Sequence, residues 1–220
     1  MIFRAVIFDL DGTLLHTLED LGDSLNAALA EKGLPLHSYD EYQAMIGNGQ
    51  KMLVHRALPE DWRDPERAGP VSSRFTEIYQ ANQCRKTRPY PGVMELLKDL
   101  KGRGFRLAVL SNKNQANAAA VVEHYFPGLF EAVRGLRPEW PAKPDPASAM
   151  ALVGEMGLAP EHFLYLGDSG VDMRTARRAG LRAVGATWGY RRREELEAAG
   201  AEAVIDAPAE LLDLIDKLAV

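Results

Sequence analysis

Phe3–Thr13 reads FRAVIFDLDGT, a strand-forming run that stops on Asp9, Asp11 and Gly12. Apart from Arg4, the six residues Phe3–Phe8 are apolar at successive rather than alternate positions. That pattern predicts a strand buried on both faces, as in a parallel sheet covered by helices on each side. Side chains alternate along a strand, so Asp9 and Asp11 share one direction while Leu10 packs the other way. Gly12 permits a tight turn or the close approach of a ligand. Two acids directly after so apolar a strand point to a site rather than to turn chemistry alone.

Similar strings recur downstream. Phe105–Leu110 (FRLAVL) precedes Ser111, and Phe163–Leu166 (FLYL) precedes Gly167; weaker strand signals lie at Ala132–Arg134, Ala183–Ala186 and Ala203–Ile205. Helical periodicity fills the intervals at Gly92–Arg103, Asn114–Tyr125, Pro146–Met156, Val171–Ala179, Arg191–Ala199 and Ala209–Leu218. The alternation predicts an α/β fold with a doubly wound, Rossmann-like, mostly parallel sheet. Residues 15–88 break it. Leu18, Leu21, Leu25, Ala28 and Leu29 form one helical stripe, Met52–Ala57 suggests a second helix and Phe75–Gln83 a third, with no convincing strand. The expected organisation is therefore a core of residues 1–14 and 89–220 with a helical cap inserted over 15–88, ending at Arg88-Pro89-Tyr90-Pro91-Gly92.

The 220 residues are 46% hydrophobic and 26% charged with a net charge of −5, a soluble globular balance that disfavours a nucleic-acid partner. The single cysteine excludes an internal disulfide and suits a reducing compartment. The N-terminal apolar run is interrupted by Asp9, and no stretch approaches the roughly 20 apolar residues of a membrane span. A cytoplasmic protein with no membrane partner, monomeric or homodimeric, is expected.

Ligands of open parallel sheets bind beyond the carboxyl ends of strands. Three polar stretches stand there: Asp9-Leu10-Asp11-Gly12-Thr13, Ser111-Asn112-Lys113 and Gly167-Asp168-Ser169-Gly170-Val171-Asp172. Ser111 and Asn112 read equally as a helix N-cap or as an anion site at a helix start. Lys143, in a Pro-rich loop, gains meaning if the site needs a cation. Four converging acids would repel one another by about 4 kcal/mol per pair at roughly 4 Å and an effective dielectric near 20, and a hard divalent ion relieves that repulsion. The five histidines show no metal-ligand pairing, so zinc is not expected. The letters GDSG at 167–170 also surround the nucleophile of trypsin-like proteases, but alternating strands and helices with one cysteine do not fit an antiparallel, disulfide-bonded barrel.

Taken in order, Asp9-x-Asp11-Gly12-Thr13, Ser111, Lys143-Pro144 and Gly167-Asp168-x-x-x-Asp172 resemble the four signature motifs of the haloacid dehalogenase superfamily. Ile46-Gly47-Asn48-Gly49, with Leu53-Val54-x-Arg56-Ala57-Leu58, resembles the cap of its phosphoglycolate phosphatases, as do Tyr90-Pro91-Gly92-Val93 and Thr187-Trp188-Gly189-Tyr190. His16-Thr17 departs from the acid and serine common after the first motif. The resemblance implies a Mg²⁺-dependent phosphatase acting on a small phosphorylated metabolite. By it, Asp9 is the nucleophile that forms an aspartyl-phosphate, Asp11 the general acid and base, and Lys143 the offsetting cation. Asp9, Asp11 (through its carbonyl), Asp168 and Asp172 serve the metal. Thr13, Ser111, Asn112 and Lys143 bind phosphate, with Asn48 and Arg56 as cap candidates for the leaving group. The same core motifs allow a phosphomutase like β-phosphoglucomutase. A phospho-Asp signalling receiver domain is the reading from another class; the helical insertion and Asp11 argue against it.

Overall fold

A computed structural model describes residues 3–218 of the chain. In chain order it comprises β1 (Ala5–Phe8), β2 (Leu15–His16), α1 (Leu18–Ala30), α2 (Tyr39–Met45), α3 (Gln50–Ala57), α4 (Pro65–Asn82), β3 (Arg88–Pro89), α5 (Val93–Gly102), β4 (Arg106–Asn114), α6 (Gln115–Tyr125), β5 (Ala132–Leu136), α7 (Ala147–Met156), β6 (Phe163–Gly167), α8 (Gly170–Arg178), β7 (Arg182–Ala186), α9 (Arg193–Ala198), β8 (Ala203–Ile205) and α10 (Glu210–Leu218). Six strands form one sheet in the order β5-β4-β1-β6-β7-β8, with every pair parallel.

The two-sided burial expected of the first strand is met residue by residue. Val6 and Phe8 join an apolar layer with Leu96, Leu97 and Leu100 of α5, Val121 of α6 and Leu211 of α10. Ala5 and Ile7 join the opposite layer with Leu152 of α7, Met173 of α8 and Leu196 of α9. At roughly 1.5–3 kcal/mol for each fully buried Val, Ile or Phe side chain, β1 anchors both layers. It is also the strand at which the sheet changes direction. The chain runs outward from β1 through β4 to β5, then returns to its other side with β6. Phe8 pairs level with Val109 and Leu166, so the residues just beyond that level on β1, β4 and β6 emerge side by side on one rim.

Helices α1–α4 have an apolar cluster of their own. The predicted stripe Leu18, Leu21, Leu25, Ala28 and Leu29 is buried there with Leu53, Val71, Phe75 and Tyr79. Three details differ from the sequence expectation. β2 and β3, at the two ends of this segment, pair antiparallel through Leu15↔Pro89 and His16↔Arg88; a two-residue ladder is too short to leave an alternation. Helix α4 begins ten residues before Phe75, because Pro65 starts it and the Asp64 carboxylate accepts from the Arg67 amide; Pro70 lies inside it. Helix α2 was not expected, although the Ser38 and Glu41 capping box marks its start.

Candidate active site

Acids of the first and fourth motifs meet on the rim. Asp9, Asp168 and Asp172 are buried, and each offers a carboxylate oxygen within 4.8 Å of the others. One ammonium enters this group. Lys143 Nζ donates to Asp9 Oδ1 and to Asp172 Oδ1, both at 2.7 Å, and to the Leu110 carbonyl at 3.1 Å. Burial and the neighbouring Asp172 charge push the Asp9 carboxyl well above the usual range, while Lys143 pulls it back. Burial, followed by Asp172, raises Asp168 to about 7. Three carboxylates thus face a single touching cation. The donor set is all hard oxygen and carries excess negative charge, which suits a divalent ion such as Mg²⁺ better than a soft one.

Asp168 is fixed by contacts that cross the molecule. Its Oδ1 accepts from the Thr13 hydroxyl at 3.1 Å, and its Oδ2 accepts from the Tyr190 amide at 2.8 Å. Gly12, at φ +95°, and Gly189 both pass against this side chain; a Cβ on either would lie under 3.0 Å from Asp168 atoms. Asp172 is held by Ser169, the N-cap of α8. The Ser169 hydroxyl donates to Asp172 Oδ2 at 2.5 Å, and the two residues complete a capping box. Ser169 is therefore spent on the helix start. Behind Lys143 lies Tyr165 of β6, fully buried, with its hydroxyl 3.2 Å from Lys143 Nζ and 3.3 Å from Asp172 Oδ1.

Asp11 stands apart from the triad. Its carboxylate oxygens accept from Lys113 Nζ at 2.7 and 2.8 Å. Burial opposes the charge on Lys113, but Asp11, and after it the Tyr79 hydroxyl, outweigh it and hold its pKa above the ordinary lysine value. Asp9, Asp11, Ser111, Asn112, Lys113 and Lys143 line one cavity of about 50 Å³; α1–α3 close it with Leu21, Ile46, Gly47, Gly49, Gln50 and Leu53.

The remaining expectations divide. Ser111 and Asn112 reach the cavity but do not cap α6. β4 runs on to Asn114, whose side chain accepts from the Ala116 amide and is the true N-cap. The Asn112 amide is occupied: its Oδ1 accepts from the Lys143 amide at 2.8 Å and its Nδ2 donates to the Lys143 carbonyl at 3.1 Å. It places the Lys143 loop. Thr13, expected at the phosphate, does not line the cavity, because its hydroxyl is turned to Asp168. Asn48 and Arg56 are likewise absent from the cavity wall. Arg56 Nη2 donates to Asn48 Oδ1 at 2.7 Å and Nη1 to the Met45 carbonyl at 2.6 Å, so the pair brace the loop before α3. Sequence reading gives no role to Lys113, Tyr165 or Tyr190, although Tyr190 closes the Thr187-Trp188-Gly189-Tyr190 motif. Lys113 carried a signal, standing directly after Ser111-Asn112; Tyr165 looked like one more apolar strand residue.

The strand ends of the parallel sheet thus gather carboxylates and a buried lysine around one cavity, and the chain's relatives place it among the phosphoric monoester hydrolases. The family model of the haloacid dehalogenase-like hydrolases matches residues 6–186, and the chain belongs to that family. It is 39% identical over 197 residues to a phosphoglycolate phosphatase of Mannheimia succiniciproducens, covering 86% of this chain and 87% of that protein. To the phosphoglycolate phosphatase of Haemophilus influenzae it is 36% identical over 222 residues, covering 97% and 98%. Among solved structures, CbbY from Rhodobacter sphaeroides in complex with phosphate superposes with a TM-score of 0.80 at 27% identity, covering 96% of each chain. No helix among the described residues is long and apolar enough to cross a membrane.

Proposed function

We propose that the chain hydrolyses a small phosphate monoester of the phosphoglycolate kind through a phosphorylated Asp9. The observation that carries this reading is the enclosure of Asp9, paired to Lys143 at 2.7 Å, in the same cavity as Asp11 and Ser111. An Asp9 oxygen attacks phosphorus, the phosphorus–ester oxygen bond breaks, and Asp11 gives its proton to the departing oxygen. Asp11 then takes a proton from water, whose oxygen attacks phosphorus and releases Asp9 as a carboxylate. Lys143 offsets the repulsion between the nucleophile and the phosphate dianion, and the Ser111 hydroxyl serves a phosphoryl oxygen. Asp9, Asp168 and Asp172, with the Asp11 carbonyl, would hold Mg²⁺, which when bound supplies further neutralising charge.

Residues 1–14 and 89–220 serve as the catalytic core in this reading, and 15–88 as a cap that excludes water and selects the leaving group. The phosphoglycolate phosphatases among its relatives favour the phosphatase over the mutase. The test is release of inorganic phosphate from 2-phosphoglycolate with Mg²⁺ present. Asp9→Asn should lower turnover by at least three orders of magnitude; turnover near that of the unaltered enzyme refutes the nucleophile.

A further inference from the structure

We propose that Lys113 is a specificity-determining residue that binds a carboxylate on the leaving group. The inference rests on the reading above and deepens it. The cavity has two ammonium groups in its wall, and they have different surroundings. Lys143 is committed to Asp9, Asp172 and the Leu110 carbonyl at the nucleophile end. Lys113 stands at the Asp11 end, which is the end the departing oxygen must face if Asp11 is the proton donor.

A buried ammonium is costly unless its charge is used. Lys113 is buried, its side chain 1% exposed, and it meets one carboxylate, that of Asp11. Tyr79 on α4 is its other neighbour, with Nζ 5.0 Å from the ring centroid and the buried, uncharged Tyr79 hydroxyl close enough to act on the ammonium. An ammonium carries three N–H donors, and Asp11 supplies a single counter-charge for them. The wall beside it is apolar where α1–α3 contribute Leu21, Ile46 and Leu53. Gln50 adds one amide nitrogen, buried and without a hydrogen-bond partner among the described residues. An anion can enter such a wall only against a fixed positive charge and a donor, and Lys113 and Gln50 are the two groups that provide them. A neutral leaving group finds no equivalent use for either.

The alternative is that Lys113 only positions Asp11. The two roles separate in a comparison of esters that differ in the carboxylate alone: 2-phosphoglycolate and ethyl phosphate. Steady-state kcat/KM is measured for both with the full-length enzyme and with Lys113→Met, whose thermal melt establishes that it folds; Lys113→Gln replaces it if Met does not fold. Loss of the ammonium is expected to reduce the ratio of kcat/KM for phosphoglycolate over ethyl phosphate by about 10- to 100-fold, whatever loss the two esters share through Asp11. An equal fall for both esters, leaving the ratio as it was, assigns Lys113 to Asp11 alone and overturns the proposal. If the unaltered enzyme shows no preference for phosphoglycolate over ethyl phosphate, the substrate reading itself fails, and that result is visible before any variant is made.

Discussion

Replacing Asp168 by Asn should make the metal-free protein more stable while abolishing its response to Mg²⁺. Asp168 is buried against Asp9 and Asp172, and its pKa is pushed up to about 7 from the ordinary 3.8 by burial first and Asp172 second. A carboxyl whose folded pKa is raised favours folding most when protonated. Its contribution is full at acid pH and is lost as pH rises from about 4 through 7, because over that window the folded state holds a proton the unfolded state has released. At about 1.4 kcal/mol per pH unit, the loss reaches roughly 4 kcal/mol above pH 7. Asn carries no charge and can keep both hydrogen bonds, its oxygen accepting from the Tyr190 amide and its nitrogen donating to the Thr13 hydroxyl oxygen. For a chain of this size, 1 kcal/mol moves Tm by about 2–4 °C.

Calorimetric melts in EDTA from pH 5 to pH 8.5 should therefore show the variant drawing ahead of the unaltered protein with rising pH, by about 8–16 °C at the alkaline end. Millimolar Mg²⁺ should narrow the gap by stabilising the unaltered protein alone, since a ligand at 100 times its Kd contributes about 2.7 kcal/mol of the roughly 4. A variant that melts at or below the unaltered protein at pH 8.5 in EDTA refutes the argument that the triad is held together against its own repulsion. So does a gap that narrows as pH rises.

Two more expectations follow from contacts between distant segments. Gly189→Ala places a Cβ under 3.0 Å from Asp168 and from the Gly12 carbonyl oxygen, where backbone cannot yield; about 1–3 kcal/mol of stability and most of the activity should go, as measured by denaturant unfolding and phosphate release, and an active, equally stable variant contradicts the close approach. Arg191 reaches from the loop after β7 to the carbonyls of Gln43 at 2.7 Å and Ile46 at 2.5 Å, at the end of α2. Arg191→Ala should free α2 and the cavity wall at Ile46, raising KM several-fold and exposing residues 39–58 to limited proteolysis; an unchanged KM and digestion pattern would exclude this bracing role.

Much of the molecule was legible in one dimension. Sheet strands and helices follow from runs and periodicities that are local, and the two-sided burial of Phe3–Phe8 was enough to imply a parallel sheet with helices on both faces. Strand ends then placed Asp9, Ser111 and Asp168 on one rim, because in such a sheet every strand ends on the same side. The short β2–β3 ladder and α2 escaped notice since each is too brief to establish a period.

What the tertiary structure alone decided is which polar group each acid and base would face. Asp11 and Lys113 pair across 102 residues, Lys143 and Asp9 across 134, Thr13 and Asp168 across 155. No periodicity reports such pairings, because they depend on how whole elements pack and on which buried charge is nearest once water is excluded. For that reason Thr13, Asn48, Arg56 and Asn112 have their polar groups engaged by protein partners that their motifs did not announce. The order of motifs along the chain determined what chemistry could be assembled. Burial, by forcing every charge to find a partner, determined which residues assemble it.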